Sequence, residues 1–303
     1  MTVTFIGLGI MGAPMARNLL AAGHDVIGIN RSHGPVARFI AAGGRAAELA
    51  DAVAASEVVM LMLPDSPDVE RVVLGDDSGA DGDGGGVLVA ARPGTCIVDL
   101  SSIAPATSRR LAEVCATRGI RYLDAPVSGG EQGAIEGTLS IMVGGAADDL
   151  AAVRPLLEAI GSTIVHVGDV GAGQTVKAAN QLIVAGTIQL VAEALVFLEQ
   201  HGADVEAAVR VLAGGLAGNR ILDRKSAGMI ERRFEPGFRI ELHRKDLGIY
   251  LAAARDAGVV SPAGAVVGQL LESAVANGDG ALDHTALLRG VDRMNGREVT
   301  PAA

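Results

Sequence analysis

Val3-Thr4-Phe5-Ile6-Gly7-Leu8-Gly9-Ile10-Met11-Gly12 takes an apolar, β-rich run through three glycines into a helical pattern from Met11 to Ala22. In a Gly-x-Gly-x-x-Gly turn between strand and helix, the first glycine permits the tight turn. The second lets backbone approach a pyrophosphate, and the third lets the helix pack closely on the strand. The helix N-terminus adds unpaired N–H groups and the positive end of its dipole. Gly7, Gly9, Ile10, Met11 and Gly12 are therefore candidates to hold the phosphates of a dinucleotide. A second strand, Asp25 to Asn30, follows in register. An acidic residue at its end would take ribose hydroxyls and repel a 2′-phosphate. Asn30, Arg31 and Ser32 stand there instead, and an amide, a guanidinium and a hydroxyl suit a phosphate. NADP(H) is favoured; NAD(H) stays open if Arg31 is only a solvated charge.

Outward from this turn, short β-rich runs alternate with helical patterns, the trace of a parallel sheet with crossover helices. Helical stretches fall at Val36–Ala42 and around Ala46–Ala54, and Val58 to Leu63 is an unbroken apolar run suited to a strand buried on both faces. Ile97–Leu100 and Tyr122–Asp124 read as further strands, with a helix over Thr107–Arg118. Thr138–Val143 and Ser162–Val167 close the domain around a helix from Ala146 to Ala159. Gly75 to Gly86, rich in Gly and Asp, reads as an exposed, mobile loop. Beyond Gly171-Ala172-Gly173 the period becomes helical: one long helix from Gln174 to Gln200, then Val205–Ala213, Leu242–Ala257, Ala263–Asn277 and His284–Met294. The expected architecture is an α/β, Rossmann-like, doubly wound parallel-sheet domain over 1–167. An all-helical domain over 168–303 follows, the two joined by the long helix.

Composition narrows the function. Of 303 residues 49% are hydrophobic and 20% charged, a globular balance, and the formal net charge is −10. Nucleic acids and anionic membranes favour basic surfaces, so neither is expected as a partner. With no Trp, two Tyr and five Phe, the chain also lacks a base-stacking platform. Ala178 to Leu198 is the richest apolar stretch, but Asn180, Gln181, Gln189 and Glu193 recur along it at helical spacing, as in a buried core helix. The N-terminal residues show no secretory pattern, and the expected location is cytoplasmic. Cys96 and Cys115 read as reduced thiols, and the six histidines show no paired metal spacing, so no metal is expected.

Two segments carry chemistry. Asp124-Ala125-Pro126-Val127-Ser128-Gly129-Gly130 follows a strand at the carboxyl edge of the sheet, where ligands of such folds bind. One hydroxyl and two close-approaching glycine N–H groups make a cradle for a small carboxylate; a flexible turn is the alternative. Gly171-Ala172-Gly173-Gln174-Thr175-Val176-Lys177 leads into the long helix, where Lys177, Asn180 and Gln181 share a face. A lysine among apolar neighbours is costly unless it serves a purpose. Its ammonium can give a proton to a carbonyl oxygen as hydride reaches the carbon, and take it back in reverse. A surface lysine whose stem lies along apolar residues is the alternative. Lys245-Asp246-Leu247 opens a late helix; Lys245 could reach the cofactor or simply pair with an acid, and His243 reads as structural.

With these blocks in place the chain resembles the β-hydroxyacid dehydrogenase family along nearly its whole length. The resemblance rests on the glycine loop with Pro14-Met15-Ala16-Arg17-Asn18-Leu19, the Ser-Gly-Gly segment, the Gly-x-Gly-x-x-x-Lys segment and the late Lys-Asp-Leu. Asp99-Leu100-Ser101-Ser102 and Pro236-Gly237-Phe238-Arg239 point towards members that reduce tartronate semialdehyde to glycerate, with 3-hydroxyisobutyrate oxidation as the alternative. The resemblance implies Lys177 as catalytic residue, and Ser128, Gly129 and Gly130 on the substrate carboxylate. It places Leu63, Pro64, Ser102 and Lys245 beside the glycine loop around the cofactor. Many relatives carry Asn four residues after the lysine, where this chain has Gln181, so Asn180 and Gln181 both stand as candidates to orient the substrate. The family also implies a homodimer or homotetramer built through the helical domain.

Overall fold

The computed structural model describes residues 1–75 and 85–299. The chain forms two compact units, Met1–Lys177 and a second from Ala178 onward. In the first, β1 (Thr2–Ile6), α1 (Gly12–Ala21), β2 (Asp25–Ile29), α2 (His33–Ala41), α3 (Leu49–Ala55) and β3 (Val58–Leu61) build the dinucleotide-binding half. There follow α4 (Ser66–Leu74), α5 (Val87–Ala90), β4 (Cys96–Asp99), α6 (Pro105–Ala116) and β5 (Arg121–Asp124). β6 (Val127–Ser128), α7 (Gly130–Glu136), β7 (Leu139–Gly144), α8 (Ala147–Glu158) and β8 (Gly161–Gly168) complete the unit. The strand order is β2-β1-β3-β4-β5-β7-β6, with β8 also on β7.

The period-2 pattern of the strands sorts their side chains into two cores. Val3, Phe5, Met60, Val98 and Leu123 enter one. Ile6, Val59, Leu61, Ile97 and Tyr122 enter the other. Both faces are therefore covered by helices, as a doubly wound sheet requires. The expected all-parallel sheet needs one correction. β2, β1, β3, β4 and β5 are parallel, but β7 runs antiparallel to β5 and to β6. The return from β5 to β7 passes through the short β6 and α7 rather than a full crossover, and a parallel partner needs the longer connection. β7 and β8, joined by α8, are parallel again.

The second unit holds most of α9 (Ala172–Gln200), then α10 (Val205–Ala213), α11 (Arg220–Ile230), α12 (Ile240–Asp256), α13 (Pro262–Ala276) and α14 (Leu287–Met294). α9 presents Ala185, Ile188, Ala192 and Leu195, at spacings of three and four, to a core shared with Leu247, Leu271 and Leu288. By length and composition α9 is apolar enough to cross a membrane, and 44% of its most apolar window is buried inside the protein.

The patterned helices and strands lie within a few residues of where the sequence puts them. Unanticipated are α4, α5, the short β6, α7 and α11. The last expected helix opens as a 3-10 turn, His284–Ala286, where the Asp283 carboxylate accepts the Thr285 N–H. Of the Gly/Asp-rich stretch expected to be a mobile loop, residues 76–84 lie outside the described residues.

Candidate active site

The glycine loop divides its work as the motif requires. Gly7 has φ +103°, and a Cβ there would overlap the Met62 carbonyl. A Cβ at Gly12 would overlap the Gly7 carbonyl and stand 3.0 Å from the Phe5 ring, so α1 sits against β1 only with glycine there. Gly9 is exposed, with nothing within 4 Å of where a Cβ would be. That open approach at the start of α1 is the place a pyrophosphate fits, and these residues suit a dinucleotide. Ile10 is exposed beside it and Met11 half-buried.

Asn30 fastens the loop. Its Oδ1 accepts the Leu8 N–H at 3.0 Å, and its Nδ2 donates to Ser32 Oγ at 2.9 Å. The amide is thus engaged within the protein, while Arg31 and Ser32 are exposed next to it. Across the strand ends, the Leu63 N–H donates to Ser101 Oγ at 2.9 Å. The Ser101 N–H in turn donates to Asp99 Oδ1 at 2.9 Å, and the Tyr122 hydroxyl donates to Asp99 Oδ2 at 2.9 Å. Complete burial pushes the Asp99 carboxyl up to about 6, against the pull of Ser101 and Tyr122. This network holds the Leu63-Pro64 and Ser101-Ser102 backbones at the carboxyl ends of β3 and β4.

Ser128 ends β6; Gly129, at φ +141°, precedes α7, and Gly130, at φ +65°, is its first residue. The segment expected to be a cradle or a flexible turn is thus a strand-to-helix junction with exposed glycines. Asp124, four residues before Ser128, is wholly buried. Its Oδ1 accepts the Gly171 N–H at 2.7 Å and its Oδ2 the Gln174 N–H at 2.8 Å, across 47 and 50 residues of sequence. Burial raises this carboxyl above its ordinary range, and those N–H groups oppose the rise. Gln174 also donates through Nε2 to Ser101 O at 2.8 Å and accepts the Ile103 N–H at 3.1 Å. Lys177, one turn further along α9, is only 8% exposed.

In the second unit, Gln181 Nε2 donates to Asp246 Oδ2 at 2.6 Å, and Lys245 Nζ pairs with Asp246 Oδ1 at 2.8 Å. His243 is buried, with Nε2 3.1 Å from Gln181 O and Nδ1 3.1 Å from His284 Nδ1. Asn180 Oδ1 is buried without a hydrogen-bond partner among the described residues. Sequence reasoning assigned no role to Asp99, Ser101, Asp124 or Gln174. Each stood inside a quoted motif, but its partner lies in a different stretch of chain, so only the type of residue was visible.

A doubly wound sheet with a glycine loop open to a dinucleotide, followed by a helical unit, defines an NAD(P)-binding oxidoreductase. Comparison with known proteins agrees. The family model for the NAD binding domain of 6-phosphogluconate dehydrogenase matches residues 2–168. That for the NAD-binding region of NADP-dependent 3-hydroxyisobutyrate dehydrogenase matches 171–291. The 2-hydroxy-3-oxopropionate reductase of Escherichia coli K12 is 45% identical over 296 residues, 97% of this chain and 98% of its own. The 2-(hydroxymethyl)glutarate dehydrogenase of Eubacterium barkeri is 38% identical, over 98% of this chain and 97% of its own. Among solved structures, 3-hydroxyisobutyrate dehydrogenase of Mycobacterium tuberculosis with L-serine superposes with a TM-score of 0.83 at 33% identity, covering 95% of this chain and 98% of that one. The chain belongs to the β-hydroxyacid dehydrogenase family. Its activity, at the level of the family, is hydride transfer between a nicotinamide and a small β-hydroxyacid or semialdehyde substrate.

Proposed function

We propose that this protein reduces tartronate semialdehyde (2-hydroxy-3-oxopropanoate) to glycerate. The observation that carries the substrate is the near-full-length 45% identity to the Escherichia coli reductase of that compound. NADP(H) is the preferred cofactor: the family model over 171–291 is that of an NADP-dependent enzyme, and β2 ends without the acid that would repel a 2′-phosphate. Gly7, Gly9, Ile10, Met11, Gly12, Arg31, Ser32, Leu63, Pro64 and Ser102 would hold it. When bound, NADPH supplies the hydride that reduces the aldehyde carbon.

The chain's own residues do the rest. The Ser128 hydroxyl and the Gly129 and Gly130 N–H groups take the substrate carboxylate. Lys177 gives its proton to the carbonyl oxygen, and its burial keeps water from competing for that bond. Asn180 is favoured over Gln181 for orienting the substrate. Gln181 is committed to Asp246, whereas the Asn180 Oδ1 acceptor lacks a partner that a substrate hydroxyl can supply. We also propose a homo-oligomer formed through α9, on which Ile183, Leu190 and Phe197 are exposed.

The second reading, 3-hydroxyisobutyrate dehydrogenase, is favoured by the solved structure at TM-score 0.83. Steady-state NADPH oxidation with tartronate semialdehyde, run beside NADP⁺ reduction with 3-hydroxyisobutyrate, separates the two. Faster turnover of the semialdehyde is expected. Lys177→Ala should lower kcat at least about 100-fold with NADPH affinity kept, the scale of a lost general acid. Turnover of 3-hydroxyisobutyrate alone would transfer the assignment to the second reading.

A further inference from the structure

The start of α9 is built as a socket. A Cβ at Gly173 would overlap Met142 O and stand 2.7 Å from Asp124 O and 2.9 Å from Asp124 Oδ2. One at Gly144 would stand 2.5 Å from Asp124 Oδ1 and 2.9 Å from the Gly173 nitrogen. Gly171, at φ +91°, has Arg109 Nη1 2.8 Å and Pro105 O 3.1 Å from the corresponding point. Gly173 thus lets the helix start press against the sheet beside the Asp124 carboxylate, and Gly171 lets the chain pass close to the first turns of α6. The two Asp124 oxygens accept the Gly171 and Gln174 N–H groups at 2.7 and 2.8 Å. They take two of the donors that a helix start leaves without intrahelical partners. Gln174 adds a second tie, from the same turn to Ser101 O and the Ile103 N–H beyond β4.

We propose that Asp124 and Gln174 are positioning residues for Lys177, clamping the first turn of α9 to the carboxyl ends of β4 and β5 so that the ammonium stands where the proton is needed. The proposal rests on Lys177 being the acid/base. Lys177 follows Gln174 by three residues, so a first turn that shifts carries the lysine with it. Asp124 also opens the segment that leads to Ser128, so one carboxylate sets both the carboxylate cradle and the proton donor on a common frame. An asparagine at 124 keeps the shape but offers one acceptor oxygen to two N–H donors and turns an NH₂ towards the other.

The test is steady-state kinetics of the full chain with Asp124→Asn, Gln174→Ala and Lys177→Ala. Asp124→Asn should lower kcat about 10- to 100-fold with KM for NADPH within about twofold, since small misplacements of a reacting group cost rate rather than cofactor binding. Asp124→Ala should lose more than Asp124→Asn, and Gln174→Ala about 5- to 20-fold. Added to Lys177→Ala, Asp124→Asn should cost nothing further, because it acts through the lysine. Losses that multiply in the double variant, or a kcat within threefold of wild type in both Asp124→Asn and Gln174→Ala, would overturn the positioning and leave the acid/base reading standing. A wild-type rate in Lys177→Ala would remove that reading, and the positioning with it. If Asp124→Asn does not fold, Gln174→Ala decides by the same two criteria.

Discussion

Asp99 and Asp283 are both buried carboxylates, and their surroundings drive them in opposite directions. Asp99 has only uncharged donors, Ser101 and Tyr122, so burial dominates and its pKa rises to about 6. Around Asp283, burial again favours the neutral form, but His284, Lys225 at 3.1 Å, Thr285 and the Phe238 N–H outweigh it, and its pKa falls. The stability linkages therefore have opposite signs. Asp283 stabilises the fold above the ordinary carboxylate range, and this is lost as pH drops through its depressed value. Asp99 stabilises it below that range, and this is lost as pH climbs through about 6. Measured against Asp99→Asn, which cannot titrate, the wild type should lose on the order of 2 kcal/mol between pH 4 and pH 7. Urea midpoints across that interval read the difference directly. Parallel curves for the two proteins would show that Asp99 stays ionised, and that the network beneath Leu63 and Ser101 is built on a charge.

α11 shows what a helix needs and what conceals one. Asn219 Oδ1 accepts the Ile221 and Leu222 N–H groups at 2.9 and 3.0 Å, a two-donor cap at the helix start. Replacing it with alanine should destabilise the protein by about 1 kcal/mol, and Asn219→Ser or Asn219→Asp should recover most of that. Equal losses for all three in denaturant titrations would mean the cap contributes nothing. The sequence Arg220-Ile221-Leu222-Asp223-Arg224-Lys225-Ser226 hides this helix because it is mostly polar, its buried face showing only as Leu222, Ser226 and Met229. α4 and α7 were hidden differently. α4 is short and not expected from the sequence, although its Pro67 suits a first helical turn; at α7 the Gly129-Gly130 pair allowed a turn as the alternative, yet a glycine can stand just before a helix start. The strands and α9 were legible because their apolar periods run long enough to count. So was the glycine loop, whose turn and close packing are set by local backbone geometry. The reversal of β7 was not, because strand direction follows from the path of the connection, which periodicity does not record. Nor were the bonds of Asp124 to Gly171 and Gln174, since no spacing of residues announces a partner 47 or 50 positions away.

The proposed homo-oligomer draws on one exposed face of α9. Ile183, Leu190 and Phe197 follow one another at intervals of seven and are 66%, 68% and 60% exposed, on a helix whose other side fills the helical core. Scattered exposed apolar residues need no explanation, but three large ones in a row along one helix do. Their order suits a twofold axis passing near Leu190. With two α9 helices antiparallel, Leu190 meets its own copy while Ile183 meets the partner's Phe197, the self-complementary pairing that a C2 interface demands. Leu190→Glu places two like charges at the axis in an apolar contact, where neither is solvated. Sedimentation at micromolar concentration should then give a wild type of at least twice the 30.7 kDa chain mass, and a Leu190→Glu variant that dissociates. Val211→Glu, at a residue that is 76% exposed on α10, serves as the control and should keep the wild-type mass. A Leu190→Glu variant that retained the wild-type mass would show that the stripe faces solvent in the assembled protein. Loss of assembly with both variants would place the interface on a broader surface than α9 alone.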